Sequence, residues 1–486
     1  MSMIRLTDTN TPPPRMGLNV GAGLDIPTGY FIKDRKGNDV LLGGLSNLQG
    51  EMGDPNTDKT TLAIYMMLSG LNTIAYSYMS ELMIYCSEGT LRVERINNLS
   101  KQFEHLDRNE YEELIMSFHS IAEITPEEWY DKVFADYVKK KRESKDYFID
   151  IEFLNNPNDK TKMLKVKLPT GMLMDTITYF NPSTSVDLIM GEHEKKKGVG
   201  SNDSATKTIG LNDAKFKTDI MSTMTAATLR TNTYAMIVAH VGDNINLDNS
   251  PYGPKQRQQI GSLSSNEKIK GVPGNYTRLL TSLWQTTNKS YLYNQATKLA
   301  EYPLGNDMDT VKEELGVVTL KQHRSKDNMS RSLVEIVVSQ KEGVLPHLSQ
   351  FRMLKQEKNF GFEGNDRSYN LLLYPEVKLG RTTVRGLIDS DPKLRRALEF
   401  TADYLQMTKY FPEFGLINLY CGLDVLYKEI DAMGYDWNKI FLLTRNWWTP
   451  KQYTSELKYL HIINLLKIRV GLYTDTDVLE KIKKDK

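Results

Sequence analysis

Short apolar runs, hydrophobic on both sides and separated by longer helical patterns, constrain this chain more than any other feature. Leu82–Cys86 (LMIYC), Gly171–Met174 (GMLM) and Tyr234–Ala239 (YAMIVA) are the clearest of them, and each leads into a polar or acidic residue. A strand with one solvated face alternates polar and apolar residues, whereas a run without alternation must be buried on both faces. The pattern predicts an α/β core of mostly parallel strands joined by crossover helices, reaching to about residue 300.

The chain has 486 residues, which surface-to-volume scaling favours dividing into two or three units around at least one substantial core. Residues 1–40 open with a Pro-, Thr- and Gly-rich lead-in and are expected to be an N-terminal arm used in oligomerisation. Residues 41–379 are assigned to the α/β core. Within it, residues 99–150 are charged, with helical spacing in Tyr111–Ile121 and Trp129–Val138, and predict a helical insertion. From about 380 onward, Trp437, Trp447, Trp448 and Leu/Ile-rich stretches predict a mainly helical domain at 380–486.

Lys and Arg number 62 against 61 Asp and Glu, which excludes a uniformly basic binder. The two cysteines, Cys86 and Cys421, are too few and too distant for a disulfide framework or a thiolate metal site. No window approaches 18 uninterrupted apolar residues, so no membrane partner is expected. The start, MSMIRLTDTNTPPPR, lacks the apolar stretch of a secretory signal, and a cytoplasmic location is expected.

The sharpest local motif is Gly53-Asp54-Pro55-Asn56-Thr57-Asp58-Lys59-Thr60-Thr61, followed by the helical run LAIYMMLSG. A phosphate-binding loop needs inward backbone N–H groups, a helix N-terminus, a Lys for the β/γ-phosphates and a hydroxyl for Mg²⁺. Gly53, Lys59 and Thr60 fill those slots, and ATP and Mg²⁺ are the expected ligands. Asp58 departs from the pattern, which has glycine there; a carboxylate fits only if it points away from the phosphates. A chance turn before a helix is the alternative. Two strand ends bear on the choice. Leu82–Cys86 leads to Ser87-Glu88, where a carboxylate could activate water as a general base. LPTGMLMDT ends in Asp175, suited to holding Mg²⁺ beside the Thr60 hydroxyl. Either acid alone could simply cap the next helix.

Several segments in order carry a family resemblance: GDPNTDKTTLAIYMML, MIYCSEGTLRVERINNL, LPTGMLMDTITYF, GLNDAKFKTDIMSTMTAATLRTNTYAMIVAHVG, KIKGVPGNYTRLLTSLW and RSLVEIVVSQKEGVLPHLSQFRML. Over roughly residues 40–375 the chain resembles the RecA family of strand-exchange recombinases, most of all the UvsX-type proteins of large bacteriophages. The resemblance implies a RecA-like P-loop ATPase core, with Glu88 as catalytic glutamate and Asp175 as the metal-orienting acid. It implies that His240, ending the run YAMIVAH, senses the γ-phosphate; a satisfied core histidine is the alternative. Lys341, in VVSQKEG, falls where the family reaches across to a neighbour's nucleotide, although Ser339 fills the slot often held by a second lysine.

The same resemblance places a first DNA-binding loop at Met190–Gly210, with Lys195, Lys196, Lys197 and Lys207. A second falls at Gly242–Tyr276, with Lys255, Arg257, Lys268 and Lys270, and Tyr252 and Tyr276 as stacking or wedging groups. Solvated polar loops are the alternative. Beyond 380, Lys393, Arg395, Arg396, Arg445 and Lys451 with Trp447 and Trp448 could form a basic aromatic patch for duplex DNA, or belong to an ordinary helical domain. Taken together, the expectation is an ATP-dependent recombinase that forms helical filaments on single-stranded DNA and pairs it with homologous duplex. Its partners would be DNA and further copies of itself, and could extend to a single-strand-binding protein and a mediator; in a phage-encoded protein the site of action is the bacterial host cytoplasm. A RecA-fold ring helicase, or a DNA-binding filament protein with a degenerate ATP site, are the alternatives.

Overall fold

The apolar runs become the middle of one ten-stranded sheet. The computed structural model describes residues 30–33, 39–42, 45–72, 81–100, 116–152, 163–168, 170–183, 185, 203–243, 259–294, 298–305, 313–326, 333–365, 367–410, 417–443, 460 and 462–485. A separate antiparallel pair, β1 (Tyr30–Lys33) and β2 (Asp39–Leu42), comes first, so the expected arm boundary at residue 40 falls inside β2.

The central strands are β3 (Leu48–Gly53), β4 (Leu82–Cys86), β5 (Met116–Ser120), β8 (Thr170–Asp175), β9 (Thr233–Asp243) and β11 (Ser282–Tyr291); between them in the chain lie β6 (Phe148–Glu152), β7 (Met163–Lys167) and β10 (Glu267–Ile269). In space the order is β5-β4-β8-β9-β3-β11, all parallel. β12 (Leu315–Ser325), β13 (Leu333–Ser339) and β14 (Gly343–Val344) extend the sheet antiparallel beyond β11. Every residue of β3, β4 and β8 is buried, as parallel strands covered on both faces require.

Alternation within each strand divides the apolar residues between two layers. Ile84, Leu173, Met236 and Val238 face α1 (Lys59–Asn72), while Tyr85, Met174, Ile237 and Ala239 face the opposite layer, which includes Ile220, Met221 and Met224 of the long helix α5 (Asp203–Thr231). Thr218, Ser222, Thr223, Thr225, Thr228 and Thr231 on α5 each donate their hydroxyl to the carbonyl four residues earlier, which lets hydroxyl residues sit in helix interior.

Residues 99–150 are only partly helical. α2 (Val93–Ser100) runs into their first two residues, and α3 (Pro126–Glu128), a π-helical segment Trp129–Ala135 and α4 (Asp136–Glu143) match the expected second helix. The expected first helix does not form over 116–120: Met116-Ser-Phe-His-Ser is β5, the edge strand against β4. Its five residues pair in register with β4, a strand that the charged neighbourhood disguised as helical. Thr125 caps the following helix reciprocally with Glu128, and fully buried Trp129 packs tilted against the Tyr85 ring, 5.0 Å between centroids. The segment returns through the antiparallel pair β6–β7.

The C-terminal region contains α7 (Pro346–Gln356), the antiparallel strands β15 (Phe362–Asn365), β16 (Ser368–Leu371) and β17 (Tyr374–Leu379), and helices from α8 (Val384–Ser390) and α9 (Pro392–Tyr410) onward. One hydrophobic cluster runs from Val317 and Val337 through Leu354 and Leu371 to Leu398, Ile440 and Ile482. That cluster holds residues from both sides of the expected division at 379/380. Arg385 of α8, 3% exposed, makes a bidentate pair with Glu314 at 2.8 and 3.2 Å and also binds Glu342. The basic patch expected beyond 380 is engaged locally where it is described. Lys393 donates to Asn438, Arg395 to the carbonyls of Ile388 and Asp389, and Arg396 pairs with Glu399. Trp437 is a core residue stacked on Tyr427, while Arg445, Trp447, Trp448 and Lys451 lie outside the described residues.

Glu399 joins α9 to α7 through His347, at 2.7 Å. Burial would raise its carboxyl pKa, but Arg396 and His347 prevail and hold it at about 2. A depressed carboxyl adds stability that is present above its unfolded pKa of about 4.3 and is lost as pH falls through the folded value. The urea-unfolding advantage of the unaltered protein over Glu399→Gln is therefore expected to shrink between about pH 4 and pH 2. A difference that stays constant over that window refutes the pairing.

Candidate functional site

Parallel strands bring all their carboxyl ends to one rim. From β3 the chain crosses to β4 on one side, while from β9 it crosses over to β11 on the other. The divergence opens a crevice between β3 and β9 at that rim, the usual place for a ligand in an open α/β sheet. The sequence-selected residues of four separate segments meet there.

Gly53 ends β3 opposite His240 of β9 and Thr286 of β11. A Cβ on Gly53 would lie 1.9 Å from the Thr286 hydroxyl, so only glycine fits. The chain then turns through Asp54, Pro55, Asn56, Thr57 and Asp58, with Asn56 and Asp58 at φ of 61° and 59°. Lys59 opens α1, is 6% exposed, and donates from Nζ to the Asp54 carbonyl at 2.5 Å. Burial lowers the Lys59 pKa, opposed by the charges of Glu51, Asp175, Glu88 and Asp54. Thr61, two residues further along α1, is also buried.

Thr60 Oγ1 donates to Asp175 Oδ2 at 2.9 Å. The other oxygen, Asp175 Oδ1, is buried without a partner. Burial pushes the Asp175 carboxyl up to about 6, against the Thr60 hydrogen bond and the Lys59 charge. A hydroxyl beside a carboxylate with a vacant lone-pair direction is a donor set that suits a hard divalent ion. Among the described residues no group of three or more His, Cys, Asp or Glu side chains could hold a metal, so an ion here would need oxygens from a ligand as well.

Glu88 and His240, selected separately in the sequence, are partners: Nε2 of His240 lies 2.5 Å from Glu88 Oε1. Thr176 Oγ1 also donates to that oxygen, at 3.2 Å. The His240 hydrogen bond lowers the Glu88 pKa below the ordinary carboxylate value despite partial burial. His240 does not end its strand, as the sequence suggested. β9 continues to Asp243, and β10 pairs with the projecting residues Val241–Asp243. Thr178 Oγ1 accepts from the His240 N–H and donates to the Lys270 carbonyl, both at 3.0 Å. Buried Lys217 of α5 donates to the carbonyls of Thr178 and Gly271, at 3.2 and 2.9 Å. The Glu88–His240 pair is thus joined by hydrogen bonds to the segment that returns after β9.

Lys341 is exposed on the turn between β13 and β14. Ser339 is buried and organises that turn: it donates to Glu314 Oε1 and accepts from the Lys341 and Glu342 N–H groups. Arg95, which the sequence reading passed over, donates to the carbonyls of Gln340 and Lys341 at 3.0 and 3.2 Å and reaches Thr61 Oγ1 at 3.5 Å. Only a tertiary contact singles it out from the other charges of its helix.

The two long polar segments are shorter than expected. α5 already covers residues 203–210, so Lys207 lies in a helix, and the second segment includes β10 and the helix α6 (Tyr276–Leu279). Lys268 and Lys270 are exposed, and Lys195, Lys196, Lys197, Tyr252, Lys255 and Arg257 lie outside the described residues. Tyr276 corrects the reading. It is 0% exposed in the core beneath β9, with its hydroxyl donating to the Ile237 carbonyl at 3.1 Å, and is not available to stack on a base. Its place at the end of a polar, Gly-containing stretch hid its burial.

Among the described residues no helix is long and apolar enough to cross a membrane. A scan against protein-family models finds no match, and no curated protein matches the chain.

Tyr276→Phe removes one buried hydrogen bond and is expected to cost about 1 kcal/mol in urea unfolding. An unchanged unfolding free energy would refute the buried hydrogen bond.

Proposed function

We propose that the chain is an ATP-dependent DNA recombinase that assembles as a helical filament on single-stranded DNA and catalyses homologous pairing and strand exchange. The observation that carries this reading is the meeting of Lys59, Thr60, Asp175, Glu88 and His240 at the crevice between β3 and β9, each from the segment on which the family resemblance expects it. The mostly parallel core with helices on both faces is compatible with a RecA-like ATPase fold.

ATP is the substrate of this reading. Its phosphates lie over the 53–58 turn at the N-terminus of α1, where helix dipole and Lys59 favour negative charge. Lys59 then exchanges its contact with the Asp54 carbonyl for phosphate oxygens. Thr60 and Asp175 would hold Mg²⁺, which when bound neutralises phosphate charge. Glu88, kept ionised by His240, accepts a proton from the attacking water. His240 and Thr176 hold its Oε1, and the His240 backbone N–H is bonded to Thr178, which reaches the Lys270 carbonyl directly and Gly271 through Lys217. Occupancy of the site is thereby linked to the segment expected to touch DNA. Weak loop contacts suffice because a filament repeats them in every subunit.

Glu88→Gln is expected to reduce single-strand-stimulated phosphate release by a factor of about 10² to 10⁴ while Mg·ATP still binds. Unchanged release refutes the role of Glu88. Negative-stain images with Mg·ATP and single-stranded DNA are expected to show helical filaments, and closed rings would favour a ring motor instead.

A further inference from the structure

We infer that Lys289 is a positioning residue for the phosphate loop, supplying the charge that allows an aspartate to stand at position 58. The inference rests on the nucleotide-site reading above. Asp58 immediately precedes Lys59 and has a φ of 59°, the left-handed region that favours glycine. It also brings a carboxylate to a turn read as holding phosphates, where an uncompensated negative charge would repel the ligand.

Asp58 Oδ2 lies 2.6 Å from Lys289 Nζ, and the two side chains are only 20% and 19% exposed. Lys289 comes from β11, three residues beyond Thr286, the partner of Gly53. In the sheet, β11 flanks β3 on the side opposite β9, β8 and β4. The Asp58 carboxylate is therefore drawn towards β11, whereas Thr60 reaches the other way to Asp175. Thr57 adds a second tether on the same side, its hydroxyl 2.8 Å from that of Thr286.

Lys289 is itself held in place by its surroundings. Its stem passes over Gly316 of β12, where an added Cβ would come within 3.2 Å of Cε, and its ammonium stands 6.0 Å from the Tyr291 ring centroid. Lysine on this strand and glycine on its neighbour thus form a built support for the departure at position 58. A partly exposed ion pair contributes little to folding, so its consequence belongs in ligand affinity and not in stability.

The test is a double-mutant cycle read by calorimetric titration with Mg·ATP, each variant checked by thermal melting. Lys289→Met is expected to weaken binding about tenfold with little change in melting, and the loss is expected to shrink at high salt. Asp58→Gly is expected to bind at least as well as the unaltered chain. The combination Asp58→Gly with Lys289→Met is expected to recover the affinity of Asp58→Gly alone, and Asp58→Asn is expected to rescue in the same way. Lys289→Gln provides the measurement if the methionine variant melts early. Equal binding by the unaltered chain and Lys289→Met overturns the inference, as does a double variant as weak as Lys289→Met. If the unaltered chain binds no Mg·ATP, the nucleotide reading fails and the inference falls with it.

Discussion

Parallel pairing of β4, β8, β9 and β3 is the constraint on which the other features depend. Because these strands run the same way, Gly53, Cys86, Asp175 and His240 come to one rim, and their registers fix Cys86 beside Asp175 and Gly53 beside His240. Parallel strands also need long crossovers, which supplies α1 and α5 as cover for the two faces. Burial on both faces in turn requires the uninterrupted apolar runs. A one-residue slip of β8 against β4 would send Asp175 to the other face and break its bond to Thr60.

That rim concentrates acids. The fully buried Glu51, Asp175 and Glu88 surround Lys59, Asp58 precedes it in the chain, and the four are compensated differently. Glu88 is held by His240 and Thr176, Asp58 by Lys289, and Asp175 by one hydrogen bond from Thr60, which leaves its second oxygen bare. Glu51 has no hydrogen-bond partner on either oxygen, and burial raises its pKa well above the ordinary carboxylate value. Such uneven compensation gives Glu88, Asp175 and Glu51 distinct protonation tendencies within a single crevice.

The legible part of the molecule was the part whose pattern is local. Leu82–Cys86, Gly171–Met174 and Tyr234–Ala239 show their strands directly, and Gly53, Lys59, Thr60, Glu88 and Asp175 lie at spacings that a strand–turn–helix unit dictates. β5 was missed because an edge strand of five residues carries too little alternation to outweigh the charged helical sequence around it. Composition changes near residue 380, and one hydrophobic cluster holds residues from both sides of that point, Val337 and Leu398 among them.

Sequence by itself determined the central strands and which chemical groups stand at their ends, because periodicity and turn chemistry act over a few residues. Tertiary structure decided how those groups are partnered. Glu88 meets His240 across 152 positions of chain, and Thr60 meets Asp175 across 115. The choice of Lys289 for Asp58, of Arg95 for the Lys341 turn, and of the core for Tyr276 likewise followed from which strands became neighbours. Those choices depend on sheet order and on what remains buried once the layers close, and no local pattern encodes either.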